Sequence, residues 1–323
     1  MTQDVGKVEE LFQNRILLVT GKGGVGKTTV AASLARMAAA VGKRTLALDM
    51  ERDLSSPSHI LKALGGPSSF DKDEPYQLTS KLSCARLSAR AGHEIFLRDN
   101  IPFAWLAKAA MRSKYLQRFL GAVPGFQEMG IMYRMLPYLR AKDHNGAFEY
   151  DLLVADLPAT GHALALTSMP EPMLNVFDGG PMARAIREAQ SYFNDSEQTG
   201  FVVVTLPEPL VVSETLELLD GLHNDDVKPA SLFVNSLPSY PWNPEEREAL
   251  DNILEQVPPN LAGVWSYRHV ERTHKARKML REKLKEYPSH IPMFCLGQHN
   301  EVSPKQRVAA VLEELWNNAP CGE

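Results

Sequence analysis

Apolar residues occur along the chain in short, nearly continuous runs instead of strict alternation. Each run is rich in Val, Leu, Ile or Phe, and together they cover residues 16–20, 45–49, 152–155, 201–206, 231–235 and 291–295. Continuous hydrophobicity is typical of strands buried on both faces. Helical stretches lie between the runs, so the pattern predicts an α/β fold with a doubly wound, mostly parallel sheet that binds its ligand at the carboxyl ends of the strands.

One interval lacks strand-like patterning. Residues 89–146 instead show apolar residues at helical spacing, including Met129, Met132, Met135 and Leu136. We therefore expect a single domain over residues 1–323 that carries a helical insertion over residues 89–146. The methionine spacing fits ordinary core packing; the alternative is an adaptable apolar groove, because Met suits surfaces that accept several partners.

Composition narrows the class of protein. The chain has 323 residues, 44% hydrophobic and 23% charged, with a net charge of −4, so it has no general attraction to nucleic acid or anionic lipid. No apolar run approaches the ~20 residues of a transmembrane helix. Residues 1–14 are polar and acidic, unlike a signal or transit peptide. Cys84, Cys295 and Cys321 lie far apart, which fits reduced thiols, and we expect a cytoplasmic protein.

The clearest chemical motif follows the first apolar run. Gly-x-x-x-x-Gly-Lys-Thr between a strand and a helix is a phosphate loop, in which backbone N–H groups and the helix N-terminus surround a polyphosphate. Lys27 neutralises β/γ-phosphate charge, and the Thr28 hydroxyl helps to hold Mg²⁺. The motif predicts an ATP·Mg²⁺ site formed by Gly21, Gly23, Gly24, Val25, Gly26, Lys27, Thr28 and Thr29.

Two further residues extend this site. Asp156 follows the run at residues 152–155, at a strand's carboxyl end, where a carboxylate that supports Mg²⁺ belongs. Lys22 is a second lysine within the loop. An ordinary phosphate loop needs no cation there, and Lys22 cannot easily reach the phosphates that Lys27 binds.

The sequence Lys-Gly-Gly-x-Gly-Lys-Thr, beginning at Lys22, resembles the deviant phosphate loop of one ATPase family. That family includes arsenite-pump ATPases, tail-anchored-protein targeting ATPases, Min- and Par-type positioning ATPases and nitrogenase iron protein. The resemblance implies that Lys22 crosses a two-fold interface to the partner's nucleotide. It therefore implies a dimer, either a homodimer or a heterodimer with a paralogue.

Two later segments resemble the arsenite-pump and tail-anchored-targeting branch. Asp156 followed by Thr160-Gly161-His162 is similar to that branch's second switch, although residues 157–159 read Leu-Pro-Ala where the branch usually has Thr-Ala-Pro. Asn235 matches the branch's adenine-reading asparagine, and an amide supplies the donor and the acceptor that an adenine edge needs.

The first switch departs from the branch pattern. The family has an Asp shortly after the second strand that orients the attacking water. A count without gaps from residues 45–49 places Glu51 there, and Asp53 is the competing residue. The extra methylene of Glu51 moves its carboxylate by ~1 Å, which is enough to slow chemistry about 100-fold.

These features predict a dimeric Mg²⁺-dependent ATP hydrolase that couples dimer closure to handling of a client or membrane-associated protein. Against a carrier, only about thirty residues separate Pro170 from Phe201, where the targeting ATPases have longer hydrophobic helices, and the cysteine pair of their zinc clasp is absent. One alternative is a nucleotide-switched scaffold or positioning protein with slow hydrolysis. Another is the ATPase subunit of an oxyanion pump, which the missing thiol cluster disfavours.

Overall fold

Eight strands form one sheet in the order β3-β4-β2-β5-β1-β6-β7-β8. The strands are β1 Ile16–Thr20, β2 Thr45–Asp49, β3 Tyr76–Gln77, β4 Leu82–Arg86, β5 Leu152–Asp156, β6 Thr199–Thr205, β7 Pro229–Leu237 and β8 Met293–Gly297. Neighbouring strands are parallel except for β3 and β4, which are antiparallel. The computed structural model describes residues 8–50, 57–67, 74–100, 126–158, 180–193, 195–239, 242–254, 256–258, 262–299 and 303–317.

Helices flank this sheet. The described helices are α1 Lys27–Ala40, α2 His59–Leu64, α3 Ala89–Asn100, α4 Phe126–Arg140, α5 Gly180–Phe193, α6 Pro209–Asn224, α7 Pro244–Leu254, α8 Ala262–Leu284 and α9 Pro304–Trp316. A 3₁₀ helix, Val8–Gln13, precedes β1. Side-chain caps define several helix starts; Ser303, for example, forms a capping box with Gln306 at the start of α9.

Both faces of the sheet are buried. Ile16 and Leu18 of β1 belong to one apolar cluster, which includes residues of α4, α6 and α8. Leu17 and Val19 point the other way into a second cluster, with residues of α1, α2 and α9. Because side chains alternate along a strand, this division requires apolar residues at successive positions. The doubly wound, mostly parallel sheet expected from the sequence is confirmed.

Strand β1 lies where the order of strands reverses. The chain passes from β1 to β2 on one side, and after β5 it returns to build β6, β7 and β8 on the other. In open parallel sheets the crevice at the carboxyl ends of the strands near such a reversal is the usual ligand site. The segment that occupies this position is the glycine-rich loop between β1 and α1.

Two strands were not predicted from the sequence. Leu82–Arg86 forms β4, although its sequence, LSCAR, mixes polar and apolar residues. Its side chains are nonetheless mostly buried because β2 and β3 pair with it on either side. Strand β3 has two residues, both exposed, at the antiparallel edge. So short a strand has no hydrophobic pattern to detect.

The described part of residues 89–146 is largely helical. Gly92 of α3 packs so closely on Gly130 of α4 that an added Cβ on Gly92 would lie 1.7 Å from the Gly130 carbonyl oxygen. The methionines at positions 129, 132 and 135 are buried together with Leu136, consistent with core packing. The interval also has apolar residues at helical spacing between Trp105 and Leu120, but these lie outside the described residues. The proposed helical insertion over residues 89–146 stays a prediction.

The cysteines depart from the sequence-based expectation. Cys84 is a free, buried thiol, whereas Cys295 is disulfide-bonded. The expectation of reduced thiols is therefore wrong for Cys295, because distance along the sequence does not show which segments folding brings together. Among the described helices, none combines the length and the apolar character needed to cross a membrane.

Candidate active site

The loop between β1 and α1 has a backbone that side chains would obstruct. Gly21, Gly24 and Gly26 all have positive φ angles, of 145°, 85° and 96°. A Cβ on Gly21 would lie 2.1 Å from the Val204 carbonyl oxygen, and one on Gly26 would lie 2.2 Å from Asn235 Nδ2. Glycine at these positions is therefore required by backbone conformation and by close approach to neighbouring strands.

The other loop residues have different surroundings. Gly23 is exposed, and a Cβ there would meet nothing within 4 Å, so close packing does not explain its identity. Val25 is buried in the cluster that includes α1. Thr29 lies in the first turn of α1, and its carbonyl oxygen accepts a hydrogen bond from Ser33 Oγ at 2.8 Å.

Lys27 begins α1 and is largely buried. Its Nζ donates a hydrogen bond to the carbonyl oxygen of Lys22 at 3.0 Å, which folds the ammonium back over the loop. Burial lowers the pKa of Lys27, and the negative charge of Asp156 opposes this shift. A desolvated ammonium hydrogen-bonded to a neutral carbonyl oxygen is well suited to bind an anion, because a phosphate adds negative charge next to it.

The side chain of Lys22 is directed toward another element. Its Nζ lies 2.6 Å from Oε1 of Glu214 on α6, and both side chains are about one-third exposed. The hydroxyl of the adjacent residue Thr215 lies 2.7 Å from that of Thr205 at the end of β6, which fixes this part of α6 to the sheet. Lys22 and Lys27 are thus five residues apart but have separate partners.

Thr28 and Asp156 meet across the carboxyl ends of β1 and β5. Thr28 Oγ1 donates a hydrogen bond of 2.6 Å to Asp156 Oδ2. Asp156 Oδ1 is shielded from solvent and has no hydrogen-bond partner among the described residues. Burial raises the pKa of Asp156 to about 6, the Thr28 hydrogen bond lowers it, and the charge of Asp49 adds to the rise.

This pair fits a magnesium ion. Mg²⁺ takes oxygen ligands, usually one or two protein groups with water and substrate phosphates completing the shell. A threonine hydroxyl and a carboxylate provide that chemistry, and the shielded Oδ1 is an acceptor that receives no hydrogen bond from the described part of the chain. A nearby cation would also offset the repulsion between Asp156 and Asp49.

The sequence analysis did not select Asp49 and Arg86. Asp49 ends β2 and is paired in register with Asp156 of β5 on one side and with Arg86 of β4 on the other. Arg86 Nε lies 3.4 Å from Asp49 Oδ2, and both side chains are buried, with exposed fractions of 4% and 7%. The sequence signal that could have identified Asp49 was a charged residue at the end of an otherwise apolar strand. Burial of a charge costs free energy unless the charge is paired.

Asn235 contacts the loop directly. Its Nδ2 donates to the carbonyl oxygen of Val25 at 2.8 Å. The pairing of β7 with β8 changes register between Val234 and Leu237, and Ser236 has a φ of 56°, in the left-handed region. This local irregularity coincides with the residue that faces the loop. The bond uses one N–H of the amide, which leaves a second donor and an acceptor for a ligand.

The structure thus brings together Lys22, Lys27, Thr28, Asp156 and Asn235 around the loop. Glu51 and its competitor Asp53 lie outside the described residues, as do Thr160, Gly161 and His162. Their assigned roles stay predictions.

A mostly parallel sheet with a glycine-rich phosphate loop between its β1 strand and the following helix defines a P-loop nucleotide hydrolase. The family model described as anion-transporting ATPase matches residues 14–179, just over half of the chain, and the chain belongs to this family.

Curated relatives agree with this assignment. The chain is 30% identical over 250 residues to ATPase BagA of Mycobacterium tuberculosis, a match covering 73% of this chain and 69% of the relative. It is 25% identical over 256 residues to ATPase GET3 of Kluyveromyces lactis, covering 69% and 72% of the two chains. Over 283 residues it is 25% identical to ATPase GET3B of Arabidopsis thaliana, covering 73% and 68%. The chain is an ATP hydrolase of the arsenite-pump and GET3 family.

The raised pKa of Asp156 predicts a pH-dependent difference in stability between the nucleotide-free protein and Asp156→Asn. The folded-state pKa of about 6 exceeds the ordinary value of 3.8. Between these values the folded protein holds a proton that the unfolded chain has lost, so this group lowers the free energy of unfolding as the pH rises. Asparagine does not ionise, and the free energy of unfolding of the variant relative to wild type should rise by up to about 3 kcal/mol between about pH 4 and 6.

Urea unfolding at several pH values measures this difference. Asp151→Asn is a suitable control because Asp151 lies just before β5 and hydrogen bonds from Arg44 lower its pKa. That variant should show no comparable rise in this pH window. Parallel stability profiles for wild type and Asp156→Asn would contradict the raised pKa.

Proposed function

We propose that this ATP hydrolase binds Mg²⁺·ATP, closes as a dimer in which Lys22 of each protomer reaches its partner's nucleotide, and couples closure to handling of a client or partner protein. The dimer is a homodimer or a heterodimer with a paralogue. The observation that carries the proposal is the separation of the two loop lysines, since Lys27 folds over the loop and Lys22 extends to Glu214.

The position of Lys22 supports a role beyond its own phosphate site. Its carbonyl oxygen binds Lys27, but its ammonium lies against α6. A solvent-accessible ion pair contributes little to stability, about 0–1 kcal/mol. Exchange of Glu214 for a phosphate of a neighbouring protomer therefore costs little, and an ammonium–phosphate contact in a closed interface is stronger.

Thr28 and Asp156 would hold the magnesium ion. When bound, Mg²⁺ neutralises charge that develops on the β- and γ-phosphates. Residues of this chain complete the site. Lys27 binds phosphate, the loop N–H groups surround it, and Asn235 contacts the base.

Three carboxylates are candidates for orienting the attacking water. The count along the sequence selects Glu51, with Asp53 as its competitor, and the described geometry supports Asp49 as a third candidate. The Asp49 carboxylate lies next to Asp156 at the carboxyl edge of the sheet, and its Oδ2 accepts no hydrogen bond from the described residues. A shielded acceptor beside the γ-phosphate position is suited to hold a water molecule.

The helices of residues 89–146 are the proposed client-binding part. Helix α3 begins three residues after β4, so its N-terminus lies beside the proposed nucleotide site.

The description of the family as anion-transporting favours a second candidate function, the ATPase subunit of an oxyanion pump. Turnover measured with a membrane-protein segment, with arsenite and with neither separates these functions. Stimulation by neither additive, together with slow turnover, would favour the scaffold function.

Lys22→Ala should bind ATP but lose ATP-dependent dimer closure and turnover together, because it removes the contact across the interface. The partly exposed Lys22–Glu214 ion pair, which it also removes, contributes little to stability. Calorimetry, sizing in ATP and in ADP, and phosphate release measure these properties. Lys27→Ala is the comparison variant, and it should lose nucleotide binding because the main phosphate cation is absent. Unchanged hydrolysis by Lys22→Ala, at protein concentrations that support dimerisation, would refute the role across the interface. Retained ATP affinity in Lys27→Ala would refute the phosphate-loop assignment.

Asp49→Asn should leave ATP affinity nearly intact and lower turnover by at least about tenfold, because the lost interaction acts on the chemical step. Glu51→Gln tests the position selected by the sequence count, and Asp53→Asn tests the competing register. Steady-state kinetics with calorimetric ATP affinity provide the measurement. Near-wild-type turnover in Asp49→Asn, with loss in Glu51→Gln or in Asp53→Asn, would assign the role to that residue. If none of the three substitutions affects a measurable rate, none of these carboxylates orients the water.

A further inference from the structure

A row of charged residues lies along the carboxyl edge of the sheet. Arg86, Asp49 and Asp156 end the adjacent strands β4, β2 and β5 and are paired in register, so their side chains project from the same face. Lys27 is adjacent to Thr28, whose Oγ1 donates a hydrogen bond of 2.6 Å to Asp156 Oδ2, so Lys27 lies beside the end of this row. The row thus consists of a cation, two carboxylates and a second cation.

Both side chains of the Arg86–Asp49 ion pair are buried. Their exposed fractions of 4% and 7% contrast with about one-third for the Lys22–Glu214 pair. Removal of one member of so buried a pair leaves an uncompensated charge. Here the remaining charge would be a carboxylate beside a second carboxylate.

The backbone around Arg86 fixes its position. The N–H of Leu87 donates to the Asp49 carbonyl oxygen at 2.7 Å, which continues the β2–β4 pairing past Arg86. Ser88 Oγ then accepts a hydrogen bond from the Ala91 N–H at 3.1 Å in the first turn of α3. The backbone that carries Arg86 is therefore fixed between the end of β2 and the start of α3, and the guanidinium lies against Asp49.

We propose that Arg86 is a positioning residue for ATP hydrolysis, whose guanidinium holds the Asp49 carboxylate in the orientation in which it aligns the attacking water. Arg86 acts through Asp49 and does not itself contact the nucleotide. This inference rests on the proposed role of Asp49. It extends that role to a residue on a strand that lacks any recognisable nucleotide motif.

The test compares Arg86→Met, Arg86→Lys, Asp49→Asn and the double variant Asp49→Asn/Arg86→Met in the full chain. Arg86→Met should lower kcat by at least about tenfold while the ATP dissociation constant changes by less than about threefold. Arg86→Lys, which keeps a cation, should recover much of the rate. Because the two residues act as one unit, the double variant should be no slower than Asp49→Asn alone.

Arg44→Met is the matched control, since Arg44 pairs with Asp151 near the opposite end of β2, with an N–O distance of 2.8 Å. It should keep its kcat. Melting temperatures accompany each rate, and the double variant, which removes both buried charges, provides a folded comparison if Arg86→Met is unstable.

The outcomes separate the two proposals. Full turnover in Asp49→Asn would refute the role of Asp49 and, with it, the role of Arg86. Loss of turnover in Asp49→Asn with full turnover in Arg86→Met would refute the role of Arg86 alone. Losses that multiply in the double variant, or that follow the melting temperature without recovery in Arg86→Lys, would show that Arg86 is merely structural.

Discussion

Two neighbouring carboxylates, the buried Asp49 and the partly buried Asp156, impose the main constraint on this structure. Neither is stable as an anion in a low-dielectric environment without a compensating positive charge or hydrogen bond. The chain provides Arg86 beside Asp49 and the Thr28 hydroxyl beside Asp156. The compensation is incomplete, since burial still raises the pKa of Asp156 to about 6 and one oxygen of each carboxylate accepts no hydrogen bond from the described residues. Because negative charge at this site is incompletely compensated, the site favours a cation.

The phosphate loop, by contrast, favours an anion. The Lys27 ammonium is desolvated and hydrogen-bonded to a neutral carbonyl oxygen, so an added negative charge would stabilise it. The sheet places these two features together because β1 and β5 are neighbours and both end at the carboxyl edge. Mg²⁺·ATP would provide a cation for the carboxylates and an anion for the loop. We propose that binding of Mg²⁺·ATP lowers the free-energy cost of both desolvated groups, the carboxylates and Lys27. Nucleotide binding could thereby change the conformation of the segments around the site.

The sequence predicted the fold well where burial determines composition. Strands β1 and β2 have the predicted bounds because strands covered on both faces must be apolar throughout. The hydrophobic pattern did not predict β4, because this strand contains the polar residues Ser83 and Arg86. Such residues are accommodated by contacts with particular neighbours and not by a uniformly apolar environment. The phosphate loop was recognisable because backbone geometry dictates its glycines. Its partners were not, since Glu214 lies 192 residues beyond Lys22 and only the folded chain joins them. The Asp49–Arg86 pair likewise depends on strand order, which hydrophobic periodicity does not determine.

The account depends most directly on the carboxylate edge and the phosphate loop acting as one Mg²⁺·ATP site. Calorimetric titration with ATP, in excess Mg²⁺ and again in a chelator, tests this in wild type and in Asp156→Asn. The account predicts that Mg²⁺ strengthens ATP binding by wild type and that Asp156→Asn loses at least about tenfold of this gain, equivalent to about 1.4 kcal/mol. Equal Mg²⁺ dependence in the two proteins would contradict it.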